Sequence, residues 1–279
     1  MQPLSAYLLV YHGSSDPRPQ AAAQAIAHFF SERICHIDTE LPLSIQNPKL
    51  TQNSKLKTQN SSSHRTPLIS VAALEGDPLP LHQQICKLGQ SLQLAASNHD
   101  IPEPGWLLVL PLFLLSGVHV MEDIPAEVAQ AQTALGQGVD VKIMPHLGSH
   151  GGLYRLIAER LSALPVEASI LLSHGSRRPG ANQRIEALAE RLGAIPAYWS
   201  VPPNLESRLQ ELMDLGFKKI AILPYFLFSG STTDAIAQTC DRLSHQFPTL
   251  DIHLFPPLEA YPELADLLVD LAVEKSFKF

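Results

Sequence analysis

The chain has 279 residues, of which 45% are hydrophobic, and a formal net charge of −7. That length and apolar content suffice for a well-buried core and exclude a disordered protein. The acidic balance argues against nucleic acid or an anionic membrane as partner, yet leaves room for an acidic small molecule received by local cations and amides.

In chain order, short apolar runs predict strands at 6–11, 68–74, 106–112 and 139–145, then at 169–173, 197–201, 219–224 and 251–255. Helical stretches fall between them at 19–33, 79–96, 122–135 and 153–164, then at 182–192, 205–215, 234–247 and 262–273. Continuously apolar strands imply burial on both faces, as in a parallel sheet. Alternating β and α over the whole length predicts an α/β protein of two tandem doubly wound units with four-stranded parallel sheets and an active-site cleft between them. The expected division is 1–165 and 166–279, with the boundary in a short linker near 164–167. Residues 45–67, rich in Gln, Asn, Ser and Lys and repeating Thr-Gln-Asn-Ser, read as a mobile insertion with no counterpart in the second half.

No apolar run approaches the about 20 residues of a membrane helix. The chain enters its first strand without a basic leader. Cys35, Cys86 and Cys240 lack any CxxC spacing, which suits free thiols in a reducing cytoplasm. There is no phosphate-binding loop, dinucleotide fingerprint or nucleophile elbow.

The chain repeats itself. Ala6 through Ser14, ending in His12-Gly13-Ser14, returns as Ser169 through Ser176, ending in His174-Gly175-Ser176. Leu110 through Gly117 returns as Leu223 through Gly230. The copies part just afterwards, where Val118-His119 in the first answers to Ser231-Thr232 in the second. The scaffold therefore does not require an imidazole at position 119. One polar loop set intact and one eroded predict a single active site.

In doubly wound sheets ligands sit beyond the carboxyl ends of the strands. That rule gathers His12, Glu75, the 116–119 loop, His174 and the 229–233 loop on one rim. His12 suits either a hydrogen bond within its own turn or a ligand role. Glu75 ends the second strand, and its repeat around Pro202-Pro203 has no carboxylate. Two imidazoles and a carboxylate on adjacent strand tips resemble a divalent-metal site with open positions. Glu122 and Asp123 suit a helix dipole. His146 and His150 read as loop residues, and His82 as a helix residue without a partner. Ser14 at a helix start, the Ser116-Gly117 turn, Arg18, Arg177 and Arg178 are candidates for contacting an acidic ligand. Leu114, Leu115, Phe226 and Phe228 suit either the core or the face of a flat ligand.

His12-Gly13-Ser14, Pro111 through Gly117, His119 and Asp123-Ile124-Pro125 occur in an order that resembles the sirohydrochlorin chelatases, in their long two-copy form. The resemblance implies ATP-independent insertion of Fe2+ or Co2+ into sirohydrochlorin, for siroheme or cobalamin synthesis. It implies His12, His119 and Glu75 as the metal-handling and catalytic residues, with Ser14, Arg18, Ser116, Gly117 and Arg177 at the substrate. The expected partners are the acidic tetrapyrrole and the metal, with no cofactor beyond that metal. The protein is expected to be cytoplasmic and a monomer, a fused pseudo-dimer. A carrier of metal or tetrapyrrole using the same cleft is the other reading of these residues.

Overall fold

A computed structural model describes residues 4–40, 67–98 and 105–276. Most of the expected insertion, 45–66, lies outside the described residues. The elements are β1 (Ser5–Tyr11), α1 (Arg18–Glu40), β2 (Leu68–Ala73), α2 (Leu81–Asn98), β3 (Gly105–Pro111), α3 (Ile124–Leu135), β4 (Val139–Ile143) and α4 (Gly151–Ser162). The second half repeats the order with β5 (Ala168–Ser173), α5 (Gln183–Leu192), β6 (Ile195–Tyr198), α6 (Leu205–Asp214), β7 (Lys219–Pro224), α7 (Ser231–Gln246), β8 (Asp251–Leu254) and α8 (Leu264–Ser276). Two four-stranded sheets form, ordered β2-β1-β3-β4 and β6-β5-β7-β8, and every strand pair is parallel.

The alternation of side chains along each strand decides which layer it feeds. On β1, Ala6, Leu8 and Val10 pack with α2 and α3 on the outer face. Tyr7, Leu9 and Tyr11 point the other way, toward α1. There Phe30 is fully buried, its ring set edge-on to Tyr7 at 5.2 Å. The inner faces of both sheets, with α1, α4, α5 and α8 between them, form one continuous apolar core. The outer face of the second sheet is closed by α6 and α7. The two repeats are thereby fixed against each other by buried side chains as well as by the linker. Polar contacts add to this: Arg33 pairs with Asp266, and Arg160 with Glu263.

Two elements depart from expectation. β6 runs over 195–198 rather than 197–201, because Tyr198 N–H already donates to Pro203 O at 2.9 Å and turns the chain. β6 is an edge strand, so Pro196 costs the ladder no obligatory donor. The helix expected from residue 122 is preceded by a single wide turn, a π-helical segment at His119–Asp123, before α3 takes a regular path. Among the described residues no helix is long and apolar enough to cross a membrane.

Candidate metal site at the rim of the first sheet

The chain reverses direction across the sheet between β1 and β3: the crossover from β1 leads to β2 on one side, and β3 continues to β4 on the other. The loops leaving β1 and β3 therefore diverge and open a crevice at the carboxyl edge. His12 follows β1, and His119 stands on the loop after β3. Their rings meet edge to face with centroids 4.7 Å apart. Glu75 comes in from the tip of β2. The β1–β2 ladder continues past both strands, with Leu74 N–H donating to Tyr11 O at 2.8 Å and Glu75 N–H to His12 O at 2.9 Å.

One ligand atom from each of His12, Glu75 and His119 lies within 4.8 Å of the other two. Two ligands opposed across one ion stand about 4.2 Å apart, given metal–ligand bonds near 2.1 Å. Small side-chain adjustments therefore bring all three to one ion. His12 and Glu75 are exposed and His119 is half-buried, so solvent or a second ligand reaches the remaining positions. No other group of three His, Cys, Asp or Glu with this geometry occurs among the described residues.

The ring orientations suit metal binding. His12 Nδ1–H donates to Gly13 O at 3.0 Å, and His119 Nδ1–H donates to Asp123 Oδ2 at 2.7 Å. With Nδ1 engaged, Nε2 of each imidazole keeps its lone pair for an ion. Asp123 completes the carboxylate–imidazole pairing that fixes ring orientation and raises ligand basicity in metal sites. The π-turn makes this pair: it carries His119 and Asp123 on one face, four residues apart. Asp123 belonged to the expected motif, but only as a helix-dipole residue; its spacing from His119 was the available signal. The variant Asp123→Asn keeps the fold and lowers Co2+ affinity about 10- to 100-fold, measurable by competition titration against a chromophoric chelator.

The second repeat has the frame of this site without its ligands. Trp199 N–H donates to Ser173 O and Ser200 N–H to His174 O, both at 2.9 Å. These repeat the ladder extension of Leu74 and Glu75, so Ser200 is the counterpart of Glu75. Its hydroxyl is used locally, donating to His174 O at 2.9 Å. In place of the π-turn, α7 starts directly after Gly230, where Thr233 Oγ1 accepts from Gly230 N–H at 2.8 Å. No imidazole or carboxylate replaces His119 or Glu75.

The remaining expected residues divide. The Arg18 guanidinium bridges Asp16 and, across the repeats, Asp234 at 2.7 Å. That guanidinium holds the Asp16 carboxyl down at about 2 and lowers that of Asp234. Ser14 Oγ accepts from Asp16 N–H at 3.0 Å, shaping the turn into α1. Ser116 and Gly117 line a cleft of about 480 Å3 between the repeats. Gly117 has open space where a side chain would start. Arg177 is exposed and is not among the residues lining that cleft; Arg178 and Arg184 are. Leu114, Leu115 and Phe226 also line it, whereas Phe228 packs against Tyr11 at 6.1 Å. Glu122 is exposed in the π-turn.

Three further histidines, His150, His146 and His82, have structural partners. His150 Nδ1 accepts from Gly152 N–H and caps α4. His146 Nδ1–H donates to Phe113 O at 3.0 Å, and burial pushes its pKa down. His82, expected to lack a partner, bonds Glu127 of α3 at 2.9 Å.

Fold and site together define a two-copy parallel α/β protein with a His/His/Glu cluster at the switch point of its first sheet. The family model CbiX matches residues 91–164 and 168–275, and the chain belongs to the CbiX family. It is 25% identical over 151 residues to the sirohydrochlorin ferrochelatase of Priestia megaterium, covering 50% of this chain and 56% of that one. It is 26% identical over 184 residues to the sirohydrochlorin cobaltochelatase of the same organism, covering 60% of each. The chain thus spans somewhat over half the length of these curated relatives. Among solved structures, SirB from Bacillus subtilis with Fe3+ shares the fold with a TM-score of 0.66 at 19% identity, over 99% of this chain and 98% of that one. SirB from Bacillus subtilis subspecies spizizenii, in complex with cobalt, gives 0.62 at 18%, over 97% and 94%.

Proposed function

We propose that this protein inserts a divalent metal ion, Fe2+ or Co2+, into sirohydrochlorin without ATP. The observation that carries the reading is the convergence of His12, Glu75 and His119 within ligand distance, in a chain of the CbiX family. The names of the Priestia megaterium relatives support the substrate.

The chemistry suits the residues. Insertion strips water from the ion, forms four metal–nitrogen bonds and releases two pyrrole protons. Two neutral imidazoles and a carboxylate bind a borderline ion through some of its positions and leave others for the macrocycle. As the metal passes to the ring, each imidazole Nε2 is freed and becomes a base for a departing proton. Glu75, exposed at the rim, offsets the charge of the ion and passes protons to water. The reading requires no cofactor beyond the metal substrate. It also fits a cytoplasmic monomer in which the fused repeats supply both walls of the cleft.

The decisive experiment is an anaerobic absorbance assay with purified protein, sirohydrochlorin and each divalent ion in turn. Repeated turnovers with Fe2+ or Co2+, faster than the protein-free rate, are the expected result. A stoichiometric complex with no turnover makes the protein a carrier instead.

A further inference from the structure

His12 and Glu75 are tied to each other by the extended β1–β2 ladder, but no strand ties His119 to either. Leu112 makes the last bond of β3 to β1, its N–H donating to Val10 O at 2.7 Å, and His119 follows seven residues later. β3 does not touch β2, because β1 lies between them. The separation of Glu75 and His119 is therefore set by α2 and α3, the helices that follow these two ligands in the chain.

The two helices are joined at the rim by a cap that one lends the other. Pro80, which precedes α2, has no side-chain acceptor for the free amides of the first turn. Glu127, in the first turn of α3, supplies it: Glu127 Oε2 accepts from His82 N–H at 2.7 Å and from His82 Nδ1–H at 2.9 Å. Both side chains are half-buried, where water competes less for such bonds. Gln84, two residues on, carries the connection to the sheet. Its Oε1 accepts from Ala73 N–H at 3.2 Å, and its Nε2 donates to Ala73 O at 2.8 Å and to Leu79 O at 2.9 Å. Ala73 ends the edge strand β2, two residues before Glu75. Gln84 thus occupies the place of a further strand. The path runs from the π-turn bearing His119, through Glu127, His82 and Gln84, to the strand tip bearing Glu75.

The second repeat, which lacks the metal ligands, is built differently here. α6 is capped by its own Asn204, whose Oδ1 accepts from Ser207 N–H at 2.9 Å. α7 meets α6 through two exposed side chains, Arg242 and Glu206, in a bond that caps no backbone amide.

We infer that Glu127, His82 and Gln84 are positioning residues for the metal site, a brace that sets the separation of Glu75 from His119. The inference rests on the metal-binding role proposed for His12, Glu75 and His119. A metal constellation needs its ligands held within about 0.5 Å. The apolar packing of α2 on α3, through Leu81, Ile85, Ile124 and Val128, is non-directional, so the register of the two helix starts falls to the hydrogen bonds.

The test is a Co2+ titration of the full chain, with melting temperature and the visible absorption of bound Co2+ recorded for each variant. Glu127→Ala weakens Co2+ binding about tenfold, the lower end of what partners outside the ligand shell contribute, and alters the visible band. Glu127→Gln keeps an oxygen acceptor and restores affinity to within about twofold of wild type. Gln84→Ala cuts the path at its other end and gives a loss of the same order, which decides the matter if Glu127→Ala does not fold. Gln93→Ala removes the bond from Gln93 Nε2 to Leu135 O, which joins the same two helices about 16 Å along α2 from His82, and leaves Co2+ affinity unchanged. In a Glu75→Ala background the brace has nothing to position, so adding Glu127→Ala changes affinity by less than about twofold. A lower melting temperature with wild-type Co2+ affinity in Glu127→Ala makes the cap merely structural and overturns the inference. Equal losses with and without Glu75 overturn it as well. Neither outcome bears on turnover of sirohydrochlorin. Conversely, the expected pattern in a protein that never turns over removes the chelatase reading and leaves the brace standing.

Discussion

His119→Ala and His12→Ala each abolish the proposed metal insertion, while His174→Ala leaves Co2+ affinity within about twofold of wild type. The asymmetry follows from what surrounds three otherwise similar imidazoles. His12 and His119 share their neighbourhood with Glu75, and the three offer converging ligand atoms. Removing a residue that merely orients a ligand costs about 10- to 100-fold in metal affinity, so removing a ligand itself costs more than about a hundredfold. Nothing nearby replaces it, because the remaining pair has one imidazole and one exposed carboxylate. His174 has the strand-tip position of His12, yet its ladder neighbour is Ser200 rather than a glutamate, and Thr232 stands at the position of His119. A lone imidazole holds an ion weakly. Isothermal titration with Co2+ and the insertion assay, run on the same preparations, check the set. Equal loss of metal binding from His174→Ala overturns the one-site account.

Gly13→Ala destroys the site from the backbone upward. Gly13 has φ +95°, a left-handed conformation costing a side-chain-bearing residue roughly 1–2 kcal/mol. A Cβ there falls 1.8 Å from the carbonyl oxygen of Glu75, and no rotamer relieves a clash between two main chains. The tips of β1 and β2 have to separate, breaking the Glu75–His12 backbone hydrogen bond, worth about 1 kcal/mol net. The expected destabilisation is about 3 kcal/mol or more, a fall in melting temperature on the order of 10 °C. Metal binding is lost along with it, since the displaced backbone carries both His12 and Glu75. Gly117→Ala is the control: it has no such φ and no atom within 4 Å of its notional Cβ, so its melting temperature stays near wild type. Thermal unfolding followed by circular dichroism separates the two variants.

Much of this was legible in the sequence because the signals are local. Apolar runs of strand length with helical stretches between them are specified by a few consecutive residues, and both four-stranded sheets appeared close to the expected positions. The repeat itself exposed the site: a loop copied with His119 in one half and Thr232 in the other marks the imidazole as chosen for something other than folding. The pairing of Arg18 was not legible, for the opposite reason. Its neighbours in sequence say nothing of Asp234, 216 residues away, which captures it across the repeats.

The sequence by itself determined the parallel α/β repeats, the strand tips bearing His12 and Glu75, and the one loop that differs, since each depends on residue type and short spacing. Only the tertiary structure decided that His12, Glu75 and His119 meet, that Asp123 orients His119 through a π-turn, and which arginines are paired and which face the cleft. Those outcomes depend on strand order, on the width of one helical turn and on the packing of two sheets around a shared core. Each is a property of side chains far apart in the chain, and no local pattern encodes it.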